Sequence, residues 1–156
     1  MKSEPKLIDT LNGLLADELT AISQYMVHSE MCAHWGYEGL HEAIESQAKD
    51  EMHHAEWLIE RILFLEGTPV VSKLRPMKIG ATVEEIIAGD EEAEVDAVKA
   101  YNAGIALASE LADEATADLL TEILKMEEGH VDWAEKQRAM ISQMGVENYL
   151  ANQVED

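Results

Sequence analysis

The chain is short of cations. Its 156 residues carry 11 Lys and Arg against 32 Asp and Glu, a formal charge of -21. So acidic a surface repels nucleic acid and anionic lipid and attracts cations. The single cysteine, Cys32, excludes an intramolecular disulfide and any CxxC redox or zinc motif. No apolar run approaches the roughly 20 residues of a membrane span, and the polar start Met1-Lys2-Ser3-Glu4-Pro5 does not read as a secretory leader. The expected compartment is therefore the cytoplasm, with no nucleic-acid or membrane partner. Prolines are few, at Pro5, Pro69 and Pro76, so helices are free to run long between them. Residues 1–156 are expected to form one domain, long enough to bury a sizeable core.

Helical periodicity fills most of the chain. Leu7, Leu11, Leu14, Leu15, Ile22 and Met26 recur at helical spacing from about Pro5 to His34, with Gly36 and Gly39 as the break. A second helix follows from about Leu40 to Glu66 and is stopped by Gly67-Thr68-Pro69. The stretch to Gly80 has no helical period and reads as a long crossover, which is needed when the helices on either side of it run parallel. Thr82 followed by Glu85 forms a capping-box pattern that opens a third helix with Val83, Ile86 and Ile87. That helix ends near Leu111, and Asp113 begins a fourth that runs to about Met144, with Gly145 as its C-terminal cap. A short apolar helix from Val146 to about Gln153 is too small to pack alone and is expected to dock on another subunit.

The acidic residues are not scattered at random. Glu18 precedes Glu51-Met52-His53-His54 by 33 positions, and Glu94 precedes Glu127-Glu128-Gly129-His130 by the same 33. Residues at i and i+3 share a helical face, so Glu51 with His54, and Glu127 with His130, each offer an oxygen and a nitrogen to one point. Two such turns, with a Glu from each of two further helices, make the ligand set of di-iron carboxylate four-helix bundles. Carboxylates with imidazole suit iron or manganese. At about 100° per residue, Ile44, Gln47, Glu51, His54, Leu58, Ile62 and Leu65 fall on one stripe of the second helix. The candidate ligands thus lie on the core face, where a bound cation accounts for carboxylates that would otherwise be costly to bury.

Other residues of the same types fail these tests. Glu38-Gly39-Leu40-His41 also reads Glu-x-x-His, but Pro5 stands 33 positions before it and glycines flank it. It is taken as an accident of the helix start. His53 falls off the core stripe, near Ser46, Asp50 and Glu60, and is expected to be solvated or to face a cavity. His28 and His34 have no partner pattern. Met52 points away from the core, alongside Ile59 and Leu63, and should face a neighbouring subunit; such a Met commonly packs an interface, although thioether sulfur also serves as an axial ligand to haem.

The motifs resemble those of bacterioferritin nearly end to end. Asn12-Gly13-Leu14-Leu15, Glu18-Leu19 and Gln24-Tyr25 resemble its first helix. Trp35-Gly36, Asp50-Glu51-Met52-His53-His54-Ala55 and Glu60 to Gly67 resemble its second. Glu127-Glu128-Gly129-His130-Val131-Asp132-Trp133 and Met144 to Leu150 complete the match. The resemblance implies an all-α, ferritin-like four-helix bundle with a long crossover between the second and third helices and a short fifth C-terminal helix. It implies a ferroxidase that stores iron. Glu18, Glu51, His54, Glu94, Glu127 and His130 would hold a di-iron centre (Fe2+/Fe3+), bridged by Glu51 and Glu127. A homo-oligomeric shell of 24 subunits built from dimers would surround the mineral, and Met52 from two subunits would be the axial ligands of one haem b at the dimer interface.

On this reading Fe(II) reaches the interior through pores between subunits. One iron is completed by Glu18 and His54, the other by Glu94 and His130, and O2 or H2O2 accepts their electrons. Asp50 would gather iron on the inner surface. Tyr25, near Glu18 in register, and Trp133, one turn past His130, could supply a further electron or simply pack the core. A ferredoxin-type reductant would release stored iron. The chain departs from the pattern in two places. Ser46 stands where many relatives have a His that helps bind inner-surface iron, and Glu45 and Lys49 stand where relatives often have an aromatic and an apolar residue near the haem; Lys49 could pair with haem propionates. The alternatives are a rubrerythrin-like di-iron peroxidase, whose usual CxxC rubredoxin module is absent, and a passive haem or iron storage shell with a slow di-metal site. A ribonucleotide reductase small subunit would be much longer, and a DNA-protecting shell would be less acidic.

Overall fold

The computed structural model describes residues 1–154. Four long helices, α1 (Pro5–His34), α2 (Glu38–Phe64), α3 (Val83–Glu110) and α4 (Glu114–Met144), precede a short α5 (Val146–Ala151). Short turns join α1 to α2 and α3 to α4, and each of these pairs packs closely together.

Three of the four long helices end in the same way. After α1, α2 and α3 one residue takes a left-handed conformation and the next N–H reaches back five residues: Tyr37 to Cys32 O, Gly67 to Ile62 O and Asp113 to Ala108 O. Only the first of these left-handed residues is a glycine, Gly36 (φ 89°); the others are Glu66 (φ 62°) and Ala112 (φ 58°). Gly67, which marks the end of α2 in the sequence, is small for another reason. A Cβ there would lie 2.8 Å from the Ile8 side chain and 3.0 Å from that of Ile62.

The segment between α2 and α3 is a strap laid along α1. Asn12 donates to Thr68 O and accepts from Val70 N, Arg75 N donates to Thr20 Oγ1, Lys78 N to Gln24 Oε1, and Gly80 N to His28 Nε2. As the strap advances from 68 to 80, its partners advance from 12 to 28, a climb of roughly 24 Å at the helical rise. It therefore carries the chain back to the end of the bundle where α2 began, and α2 and α3 run parallel. The strap is fixed at its far end by a buried network in which Asp90 Oδ1 lies 2.8 Å from both Gln24 Nε2 and His28 Nδ1. His28, with no partner in the sequence pattern, is one of its anchors. Thr82 then caps α3 by accepting from Glu85 N, and Glu85 in turn accepts from Ala81 N. At the opposite end Arg61 of α2 donates to Asp113 and Thr116 at the start of α4.

The core is divided in two. Leu7, Leu11, Leu15, Leu58, Ile62, Leu120 and Ile123 fill one end, while Tyr25, Leu40, Ile44, Ile86, Ile87 and Tyr149 fill the other. All seven residues of the predicted stripe on α2 are buried. Met26 is not: it is 53% exposed, because Glu18 and Tyr25 occupy the inward face of α1 and turn Met26 outward. The short α5, expected to dock on another subunit, packs on its own chain. Tyr149 is buried, its hydroxyl donates to Gln137 of α4 at 2.6 Å, and Gly39 N donates to Gln153 O just beyond α5. Among the described residues no helix is long and apolar enough to cross a membrane.

Candidate metal centre

Between the two halves of the core lies a polar layer. Glu18 from α1, Glu51 and His54 from α2, Glu94 from α3, and Glu127 and His130 from α4 all converge there, and none is more than 7% exposed. The i, i+3 spacing on α2 and α4 places each Glu and His on one face. The lone Glu of α1 and that of α3 are brought to the same depth by the packing of each hairpin.

The six side chains form two overlapping quartets. Glu18, Glu51, His54 and Glu127 each present a ligand atom within 4.8 Å of the others, and so do Glu51, Glu94, Glu127 and His130. Glu51 and Glu127 belong to both, the arrangement needed if they are to bridge two ions. The spacing of 33 thus becomes an approximate twofold that relates the α1–α2 hairpin to the α3–α4 hairpin.

The hydrogen bonding is incomplete in a telling way. Glu18 Oε2, Glu51 Oε1, His54 Nδ1, Glu94 Oε2 and both oxygens of Glu127 are buried without a hydrogen-bond partner; among the described residues the only other such side-chain atom is Asp90 Oδ2. Proximity is not the obstacle. His54 Nδ1 lies 2.9 Å from Glu127 Oε1, 3.5 Å from Glu18 Oε2 and 3.8 Å from Glu51 Oε1, yet no N–H aligns with an oxygen. Buried polar atoms are almost always paired in native proteins. Six orphans whose lone pairs converge on the same small volume fit a site made for cations.

Without cations the layer is electrostatically strained. Burial, together with the charges of Glu18, Glu94 and Glu127, holds the Glu51 carboxyl well above the usual range. Burial raises Glu94 to about 8, although His130 draws it down. Burial alone would lower the imidazoles, but Glu127 and Glu18 outweigh it at His54, and Glu94 and Asp50 do so at His130, so that both stand at about 9. Divalent ions would relieve the repulsion and displace these protons.

Two tyrosines complete the symmetry. Tyr25 donates to Glu94 at 2.5 Å and Tyr101 to Glu18 at 2.5 Å, so each crosses from its own helix to the Glu of the other. Tyr25 is near the centre as expected, but its partner is Glu94 rather than Glu18. Tyr101 was missed in the sequence, although a signal was there: each tyrosine stands seven residues after its helix's Glu. Burial, then the adjacent carboxylate, raises both phenols and keeps them protonated donors. Trp133 packs partly buried against the second core cluster.

Asp50, expected at the inner surface, places Oδ2 3.0 Å from His130 Nε2 and leaves its side chain 35% exposed. His53 is exposed beside Glu56. In the discounted motif His41 Nδ1 meets Ser29 O, and the carboxylates grouped with His41 are Glu30 and Glu45 rather than Glu38; that trio is partly exposed. Met52 is 45% exposed and lies on a shallow groove with Ile22, Met26, Ala48 and Lys49. A cavity of about 280 Å³ between α1 and α3 reaches Glu18, Glu51, Glu94 and Glu127 from outside, covered by Arg75 and Pro76 of the strap.

Residues 8–144 match the family described as Ferritin-like domain. The chain is 40% identical to a protein called Bacterial ferritin from Synechocystis sp., over 99% of each chain. It is 38% identical to a Bacterioferritin from Brucella melitensis, covering 96% of this chain and 92% of that one, and 37% identical to a Bacterioferritin from Mycobacterium leprae, covering 97% and 95%.

Proposed function

The chain belongs to the ferritin-like family, among bacterioferritins and bacterial ferritins, and from that premise we propose that it stores iron by oxidising Fe(II) at a two-iron centre within each subunit. The six orphaned lone pairs of the buried layer are the observation that carries this reading. Fe(II) is the substrate. One ion sits among Glu18, Glu51, His54 and Glu127, the other among Glu51, Glu94, Glu127 and His130. Two Fe(II) give up one electron each, and O2 with two protons takes the pair to become H2O2; alternatively H2O2 with two protons takes it to become two waters. The carboxylates offset the extra positive charge of Fe(III), and Tyr25 and Tyr101 hold Glu94 and Glu18 in place while this charge changes.

The surface supports assembly into a homo-oligomeric shell, proposed here as 24 subunits built from dimers. Val71, Leu74 and Ile79 of the strap and Met26, Met52 and Leu63 of the helices are exposed apolar side chains on an otherwise acidic molecule. At the dimer face the groove at Met52 has the donors that a haem b needs: a thioether for the iron, apolar walls from Ile22, Met26 and Ala48, and Lys49, 3.4 Å from Glu45, for a propionate. Haem there would supply one-electron transfer between an external reductant, of ferredoxin type, and stored iron. A cytoplasmic setting suits this chemistry.

The test is retention of the product. Purified protein given Fe(II) in air at many ions per chain should keep the oxidised iron soluble and eluting with a particle of shell mass. Iron that precipitates at the rate and extent seen with buffer alone would refute storage. In haem-supplemented protein, a Soret band lost in Met52→Leu is expected; an unchanged band in the variant would remove the assignment of Met52.

A further inference from the structure

Directly behind the two histidines the approximate twofold is broken. The residue before Glu51 is Asp50, and it reaches across to His130: Nε2 to Oδ2 is 3.0 Å. The residue before Glu127 is Met126, and it reaches across to His54: Nε2 to Sδ is 3.2 Å. The two positions are equivalent by the symmetry of the centre, yet one carries a carboxylate and the other a thioether.

This difference bears on the metal through the imidazole ring. To offer the Nδ1 lone pair, each histidine must carry its proton on Nε2. At His130 that N–H meets a carboxylate, a charge-assisted bond that fixes the tautomer and pushes electron density toward Nδ1. At His54 the same N–H meets a thioether, a weak and uncharged acceptor. His54 is oriented by packing, its ring 5.6 Å from that of Trp57, but gains no such increase in donor strength. The negative charge of Asp50 also lies nearer to the second quartet. Both effects favour the same ion.

We propose that the two metal positions are unequal, the one completed by Glu94 and His130 being tight and the one completed by Glu18 and His54 being weak and exchangeable, and that Met126 is the positioning residue that sets the difference. The inference rests on the six-residue centre. Removing an outer partner of a metal-bound histidine changes affinity by about 10- to 100-fold, so a ratio of that size is expected. In function, the weak position would release its ion first.

Shared bridging carboxylates would by themselves separate two binding steps, so affinities alone do not decide the matter. The deciding quantity is which position fills first. Crystals of the metal-free protein equilibrated with one equivalent of Co(II) per chain, measured at the cobalt edge, should show the ion beside His130 at least about ten times more often than beside His54. Met126→Asp should bring the two occupancies close to equal. Asp50→Asn should do so from the other side, by weakening the tight position, and serves if the Met126 variant does not fold. Equal occupancy in the wild type, preference for His54, or a ratio that neither variant moves would overturn the proposal. Co(II) at neither position would instead overturn the six-residue centre beneath it.

Discussion

Replacing Glu94 and Glu127 together by alanine should slow Fe(II) oxidation more than about 100-fold, because even outer-shell partners of a metal cost about 10- to 100-fold when removed and these two residues would touch the ions themselves. Glu127 belongs to both quartets, and Glu94 completes the second. The fold and the assembly should be unaffected. Both side chains are buried, and the double variant removes two buried carboxylates that repel their neighbours in the metal-free chain. Stopped-flow oxidation beside size-exclusion mass checks both parts. Wild-type rates in an intact particle would show that oxidation happens elsewhere.

The metal-free protein should lose stability as pH rises from about 4.5 to about 9. Glu94 stands at about 8 in the fold against an ordinary 4.5, and His54 and His130 at about 9 against 6.5. All three values are raised, so the folded chain binds protons more tightly than the unfolded one. The stability they contribute is complete below the unfolded values and is lost as pH passes through the folded ones. Metal displaces those protons and holds the carboxylates charged, so the gap in Tm between loaded and metal-free protein should widen with pH. At pH 8 it should reach on the order of 10 °C, the scale of a few kcal/mol in a chain of this size. Glu51→Gln replaces a buried carboxyl, which the fold must either neutralise with a proton or bury charged beside other carboxylates, by a neutral amide. Without metal it should melt above the wild type at pH 8, and with metal it should gain less. A metal-free Tm that is flat across this range, or a variant that melts lower, would contradict this electrostatic description of the site.

The candidate site was legible in the sequence before the fold because its six residues are tied to helix geometry. A Glu-x-x-His turn defines a face by itself, and the repeated spacing of 33 picks two such turns out of three; the third, Glu38 to His41, lacked the spacing and does not converge in the structure. Residues that meet only through tertiary packing were harder to find. His28, Gln24 and Asp90 join α1 to α3 across more than 60 positions, and periodicity cannot report such a contact. The docking of α5 joins a buried tyrosine hydroxyl to a glutamine, Tyr149 to Gln137, and packs Tyr149 and Leu150 into the second core cluster, contacts for which no sequence pattern exists. Helix ends were off by a residue or two, since Glu66 and Ala112 adopt a conformation usually left to glycine. The broken symmetry at Asp50 and Met126 was present in the spacing throughout, but it acquired meaning only once the two histidines were seen to face them.

The count of irons oxidised in the fast phase tests the central claim most directly. Metal-free protein mixed with increasing Fe(II) in oxygenated buffer should show a fast absorbance rise whose amplitude grows linearly and breaks at two Fe(II) per chain, matching the two quartets that share Glu51 and Glu127. A break at one Fe(II) per chain, or an amplitude with no break, would contradict a two-iron centre built from these six residues.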